Sequence, residues 1–141
     1  MFKKILAPVD GSIGSKAAAK KAMQIATDYG AEVTFVYVAV DIYSSSRLSN
    51  EDYNQLQSAY MAQGEAMLED VINEVKIEGV LTNKKMLTGH PAQVLLNECK
   101  EGGYDLVVIG SRGQSLMQDF PMGSVSSRVV QYAPCTVLIV R

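Results

Sequence analysis

The sequence predicts one α/β domain over residues 1–141, built on a doubly wound parallel sheet. Three observations carry this expectation. Short strand-like runs alternate with segments of helical periodicity along the chain, the pattern of repeated βαβ units. The runs are continuously apolar rather than alternating, as strands covered by helices on both faces are. The 141 residues, 48% of them hydrophobic, supply one sizeable core and leave little for a second.

Taken in order, Lys3 to Val9 is a short apolar run closed by Asp10-Gly11-Ser12, a buried strand entering a turn. Pro8 places the end of that strand nearby, because proline cannot donate a ladder hydrogen bond. From Ser15, residues Ala18, Ala22, Ile25, Ala26 and Tyr29 recur at helical spacing, and Gly30 supplies a left-handed stop. Val33 to Val40 is rich in β-branched and aromatic residues and reads as the second strand. A polar, serine-rich loop from Asp41 to Asn50 precedes the longest helix, with Tyr53, Leu56, Tyr60, Met67, Val71 and Val75 along one stripe. Met86 to Gly89 forms the core of a third strand. Pro91 opens a helix carrying Val94, Leu95 and Cys99, which Gly102-Gly103 end before the strongest strand, Tyr104 to Ile109. Ser124 to Tyr132 reads as the last helix, closed by Ala133-Pro134, and Cys135 to Val140 as the final strand. Right-handed crossovers from a central first strand send strands two and three one way and strands four and five the other. The crevice between strands one and four, beyond Asp10 and Ile109, is then the expected ligand site.

Composition excludes several functions. Thirteen Lys and Arg against fifteen Asp and Glu give a net charge of -2, so no bulk attraction to nucleic acid or anionic membrane is available. The apolar start is interrupted at Asp10, too soon for a signal peptide, and no run reaches the roughly 18 residues of a membrane helix. Cys99 and Cys135 lack metal spacing and read as reduced thiols, so a cytoplasmic location is expected. His90, the single histidine, sits between Gly89 and Pro91 as a surface turn residue with no identifiable catalytic partner. No G-x-S-x-G elbow is present, which argues against a hydrolase triad.

The chemistry gathers after strand four. Gly110-Ser111-Arg112-Gly113 is followed nine residues later by Gly123-Ser124-Val125-Ser126 at the start of the last helix. Glycines let backbone N–H groups converge on an anion, and a helix N-terminus adds unsatisfied donors and a favourable dipole. Ser124 and Ser126 add hydroxyls. The plain alternative, a glycine turn and an ordinary helix cap, stands level with phosphate binding on local chemistry alone. Neither a Walker A loop nor a GxGxxG fingerprint is present. Without a Walker lysine, neutralising a triphosphate falls to Arg112, the helix dipole or a metal ion such as Mg2+, and hydrolysis should be slow or absent.

The spacing G-x2-G-x9-G-S, from Gly110, Gly113, Gly123 and Ser124, resembles the ATP-binding signature of the universal stress protein family. The opening Ile5 to Ser12 is similar to that family's first strand and turn. The resemblance implies a Rossmann-like fold of the adenine nucleotide alpha hydrolase type, with sheet order 3-2-1-4-5. It implies ATP, ADP or AMP in the crevice, with Asp10 near the nucleoside, Val38 offering its backbone to the adenine edge and Pro8 walling that pocket. Ile109 ends the strand that leads in. Gly110, Arg112 and Gly113 then lie toward ribose and phosphates, while Gly123, Ser124, Val125 and Ser126 close around the phosphates. It further implies a regulatory stress-response protein that acts through a partner and dimerises through the strand at 136–140.

Two other functions compete. An adenylating enzyme on a related fold would carry an S-G-G-x-D-S loop after strand one, where this chain has Asp10-Gly11-Ser12-Ile13-Gly14-Ser15. A flavodoxin-like carrier would need a Ser/Thr-rich phosphate loop there and aromatic residues to sandwich a flavin. The apolar residues Leu116, Met117, Phe120 and Met122 of the nine-residue insert suggest a lid or contact surface over the phosphate site.

Overall fold

The computed structural model describes residues 1–41, 49–112 and 122–141. The elements are β1 (Lys4–Pro8), α1 (Ile13–Tyr29), β2 (Glu32–Ala39), α2 (Asn50–Val75), β3 (Thr82–Thr88), α3 (Pro91–Glu101), β4 (Leu106–Gly110), α4 (Ser124–Tyr132) and β5 (Thr136–Val140). The strands pair in parallel in the order β3-β2-β1-β4-β5, the doubly wound arrangement read from the sequence. Residues of α1 and α2 form one core with Ile5, Ala7, Val33, Phe35 and Val108. Residues of α3 and α4 form the other with Leu6, Val36, Val107 and Ile109. Among the described residues no helix is long and apolar enough to cross a membrane.

Small side chains let α1 lie close to the central strands, and Ala18, Ala19, Ala22 and Ala26 are fully buried. Ser12 caps its first turn by accepting from the Ser15 N–H at 3.1 Å, and Gly30 ends it at φ 68°. Tyr29, expected on the core stripe, is half exposed and instead packs edge-to-face on Phe2 at 5.4 Å. In α2 the expected stripe is buried only toward the C-terminal end. Val71 is covered, as is Leu68 beside the stripe, whereas Leu56 and Tyr60 remain 39% and 43% exposed.

The third strand begins four residues before the expected Met86, through the polar run Thr82-Asn83-Lys84-Lys85. It pairs with β2 from Val33↔Thr82 to Ala39↔Thr88. Successive side chains on a strand point to opposite faces. Lys84 meets Glu65 and Glu69 of α2, and Lys85 meets Glu98 of α3, so each lysine finds carboxylates on its own face. The serine-rich loop is outside the described residues from 42 to 48, as is the insert from 113 to 121, including Leu116, Met117 and Phe120.

The close approach of α2 to β2 depends on Gly64, where an added Cβ would lie 2.2 Å from the Tyr37 ring. Gly64→Ala gains about 1 kcal/mol of helix propensity but incurs an overpacking penalty of about 1–3 kcal/mol. Urea unfolding should therefore show a net loss of stability. A more stable variant would mean that the Tyr37 ring yields freely.

Candidate functional site

The crevice is a consequence of where β1 stops pairing. Toward β4 the ladder contains only Ile5↔Leu106 and Leu6↔Val107, whereas toward β2 it reaches Pro8↔Val36. The Val9 N–H donates to the Val36 carbonyl at 2.8 Å, and the Lys4 carbonyl accepts from the Asp105 N–H at 3.0 Å. Alternation along the strand therefore turns the Pro8 nitrogen toward β4, at the level where β1 and β4 no longer pair. Proline is tolerated there because no ladder bond is forfeited.

A cavity of about 250 Å3 opens at this point. Every anticipated site residue except Gly113, which lies outside the described residues, lines it. Pro8 and Asp10 come from β1 and its turn, Val38 from β2, and Ile109, Gly110 and Arg112 from β4 and its exit. Gly123, Ser124, Val125 and Ser126 come from the N-terminus of α4. The structure adds Val9, Val36, Ser15 of α1, and Pro91 and Leu95 of α3. The sequence did hold a signal for the α3 pair. A helix that follows a parallel strand starts at the strand's C-terminal end, so the first turn of α3 had to open beside the crevice.

The turn below the cavity is stiffened by hydrogen bonds. Asp10 Oδ1 accepts from the Ser12 N–H at 2.9 Å and from its hydroxyl. The Asp10 N–H donates to Ser15 Oγ at 3.3 Å, and that hydroxyl donates to the Ser12 carbonyl at 3.0 Å. On the opposite wall, Gly123 is the N-cap of α4 and no side chain caps the first turn. The N–H groups of Ser124, Val125 and Ser126 lie in a turn with no intrahelical acceptors. The Gly123 N–H itself donates to the Ser111 carbonyl at 2.7 Å, tying the helix start to the exit of β4.

Two of these residues also make contacts that the sequence did not indicate. Ser126 is buried and gives its hydroxyl proton to the Gly110 carbonyl at 2.7 Å, so this proton joins α4 to β4 rather than facing an anion. Gly110 serves packing, since an added Cβ would meet the Gly14 backbone at 2.8 Å. Its glycine character brings the start of α1 against β4, which is what places Ser15 in the cavity wall.

Of the described lining residues, Arg112 is the cation and Asp10 the anion, and the wall formed by Pro8, Val36, Val38, Pro91, Leu95 and Ile109 is apolar. Among the described residues no group of three or more His, Cys, Asp or Glu could hold a metal ion. The hydroxyl protons of Ser15 and Ser126 go to backbone carbonyls, not to a base. Burial pushes the Cys99 thiol up to about 12 and raises Cys135 as well, so neither is an activated nucleophile. The arrangement offers an apolar slot at one end and backbone donors at the other.

The universal stress protein family profile matches residues 1–141. The chain is 33% identical to universal stress protein YxiE of Bacillus subtilis over 148 residues, covering all of both proteins. It is 35% identical to universal stress protein MJ0531 of Methanocaldococcus jannaschii over 142 residues, all of this chain and 83% of the relative. The structure of UspA from Lactobacillus plantarum superposes with a TM-score of 0.87 at 27% identity, covering 99% of this chain and 98% of that one. Two more distant structures share the fold. A universal stress protein in complex with cAMP has TM-score 0.65 and 22% identity, covering 99% of this chain and 97% of that one. An Arabidopsis thaliana family protein with AMP bound has TM-score 0.63 and 19% identity, covering 98% of this chain and 90% of that one.

Proposed function

The chain belongs to the universal stress protein family, and from that premise we propose that it is an adenine nucleotide-binding regulatory protein that takes ATP. The observation that carries this reading is the convergence on one crevice of an apolar slot, Asp10, Arg112 and the uncapped first turn of α4. Relatives of the same fold with cAMP and AMP bound support the choice of an adenine nucleotide.

The slot between Pro8, Val36 and Val38 on one side and Pro91 and Leu95 on the other takes the base. The Val36 carbonyl faces β1, so by alternation the Val38 N–H and carbonyl face the crevice too. A neighbouring donor and acceptor match the N1 and N6 edge of adenine and clash with the reversed pattern of guanine. Asp10 accepts from the ribose hydroxyls. The α4 N–H groups and Arg112 take the phosphates, with the dipole of α4 adding attraction. A Mg2+ ion would be held by the phosphate oxygens, with Asp10 the carboxylate among the described lining residues, and would offset triphosphate charge.

Calorimetry should show ATP binding, and mass spectrometry of nucleotide released from the purified protein should identify an adenine nucleotide. Turnover should be far below that of an ordinary enzyme, because the Ser15 and Ser126 hydroxyls are committed to carbonyls and the described lining residues include no histidine, cysteine or lysine. A turnover on the order of 10 per second would replace this reading with an enzymatic one.

Regulation then runs through assembly, a homodimer and a protein partner, in a reducing, cytoplasmic setting that suits two free cysteines. The two sheet edges differ in a way that supports the dimer. Edge strand β3 carries Lys84 and Lys85, whereas edge strand β5 is Thr136-Val137-Leu138-Ile139-Val140 with no charge.

A further inference from the structure

Beneath the apolar end of the cavity lies a polar cluster, buried at Glu98 and Tyr104 and open to solvent at Lys85, that the nucleotide reading does not use. Glu98 of α3 is 8% exposed, yet both its carboxylate oxygens accept from Lys85 Nζ at 2.9 Å. The Tyr104 hydroxyl donates to Glu98 Oε2 at 2.8 Å. Lys4 Nζ lies 4.8 Å from the Tyr104 ring centroid and donates to the Gly102 carbonyl at 2.6 Å, fixing the ring and the end of α3 together. Burial opposes the charge on Glu98, but the Lys85 ammonium and the Tyr104 hydroxyl outweigh it and hold the carboxyl below its ordinary range.

Glu98 is buried but the Lys85 side chain is 46% exposed, and so open an ion pair adds little to stability, so stability alone does not account for it. Its position is informative. Lys85 is in register with Val36, a floor residue of the cavity. Glu98 is one helical turn after Leu95, the α3 wall residue, and both are buried on the same face of that helix. Each end of the ion pair is thus anchored beside a residue that contacts the cavity, on opposite sides of the slot.

We propose that the Lys85–Glu98 pair, braced by Tyr104, is a strut that sets the separation of the β2 floor from the α3 wall and so fits the slot to a planar base. The proposal rests on the nucleotide reading for its ligand, while the strut itself is a property of the free protein. Lys85 and Glu98 are positioning residues that touch no ligand. They act through Val36 and Leu95.

The test is Lys85→Met/Glu98→Leu, which leaves no buried charge unpaired, measured with AMP and with ribose 5-phosphate, a probe without the base. By NMR titration AMP affinity should fall about tenfold, equivalent to about 1.4 kcal/mol, with ribose 5-phosphate affinity unchanged. Unchanged AMP affinity in a folded variant, or an equal loss for both probes, overturns the strut. If the double variant does not fold, Glu98→Gln keeps an acceptor for Tyr104, removes the charge, and is read by the same pair of probes. Should the parent bind no adenine nucleotide, the functional reading fails by itself. The strut is then decided in the free protein by methyl NOEs between the Val36 and Leu95 walls, which weaken in the variant if the pair sets their spacing and stay unchanged if it does not.

Discussion

Gly123→Val should abolish measurable adenine nucleotide binding, a loss of at least about a hundredfold or about 2.8 kcal/mol, while circular dichroism stays native. The backbone does not require glycine at this position. Its φ of -72° and ψ of 163° lie in the extended region open to any residue. What valine changes is the space beside the first turn of α4, because its Cβ and two methyl groups would stand next to the N–H groups of Val125 and Ser126. Valine is also a poor N-cap, at a cost of up to about 2 kcal/mol to the helix, so a thermal melt must accompany the binding measurement. Gly123→Ser separates the two effects. A serine hydroxyl accepts from the second or third N–H of the helix, so it should raise stability while competing with phosphate for the same donors. Stability rising as affinity falls marks those donors as the anion site. Undiminished affinity in a folded Gly123→Val protein would reduce Gly123 to an ordinary cap.

The glycine and serine pattern was legible because its meaning is local: a strand end, a turn and a helix start are contiguous in the chain. Ser126 shows where that legibility stops. Nothing near it in sequence indicates that its hydroxyl goes to the Gly110 carbonyl, sixteen residues away, at 2.7 Å. Gly110 makes the same point, since its missing Cβ is required by Gly14 of a different element. The polar half of β3 was hidden for a related reason. Lys84 and Lys85 look like loop residues until Glu65, Glu69 and Glu98 are placed on the helices above and below them. Strand order, by contrast, follows from alternation and handed crossovers, which act on whole elements and tolerate errors of several residues at their ends. Pro8 was readable as a strand end, but its precise value, turning a missing donor toward the gap beside β4, appears only once the register is known.

Val137→Pro should convert the expected homodimer to a folded monomer, whereas Leu138→Pro should damage the subunit itself. The Ser111 N–H donates to the Val140 carbonyl at 2.9 Å, so Val140 faces β4. Alternation then turns Thr136 and Leu138 toward β4 as well, and turns the N–H and carbonyl groups of Val137 and Ile139 outward along an open edge. Two copies related by a twofold axis present these edges antiparallel, and in a register centred on Leu138 each Val137 exchanges hydrogen bonds with Ile139 of the other copy. Proline at 137 removes an outward donor and places its ring in the path of the second strand, yet leaves the ladder to β4 intact, which is the one place a sheet tolerates it. Proline at 138 deletes a bond within the subunit, so its cost, about 3 kcal/mol or more by analogy with other ladder and helix interiors, should appear in the thermal melt. Sedimentation at micromolar concentration reads the first effect and calorimetric unfolding the second. A parent that sediments as a monomer, or a Val137→Pro variant that remains as dimeric as the parent, would move the interface away from β5 and require its open edge to be shielded by the subunit's own residues.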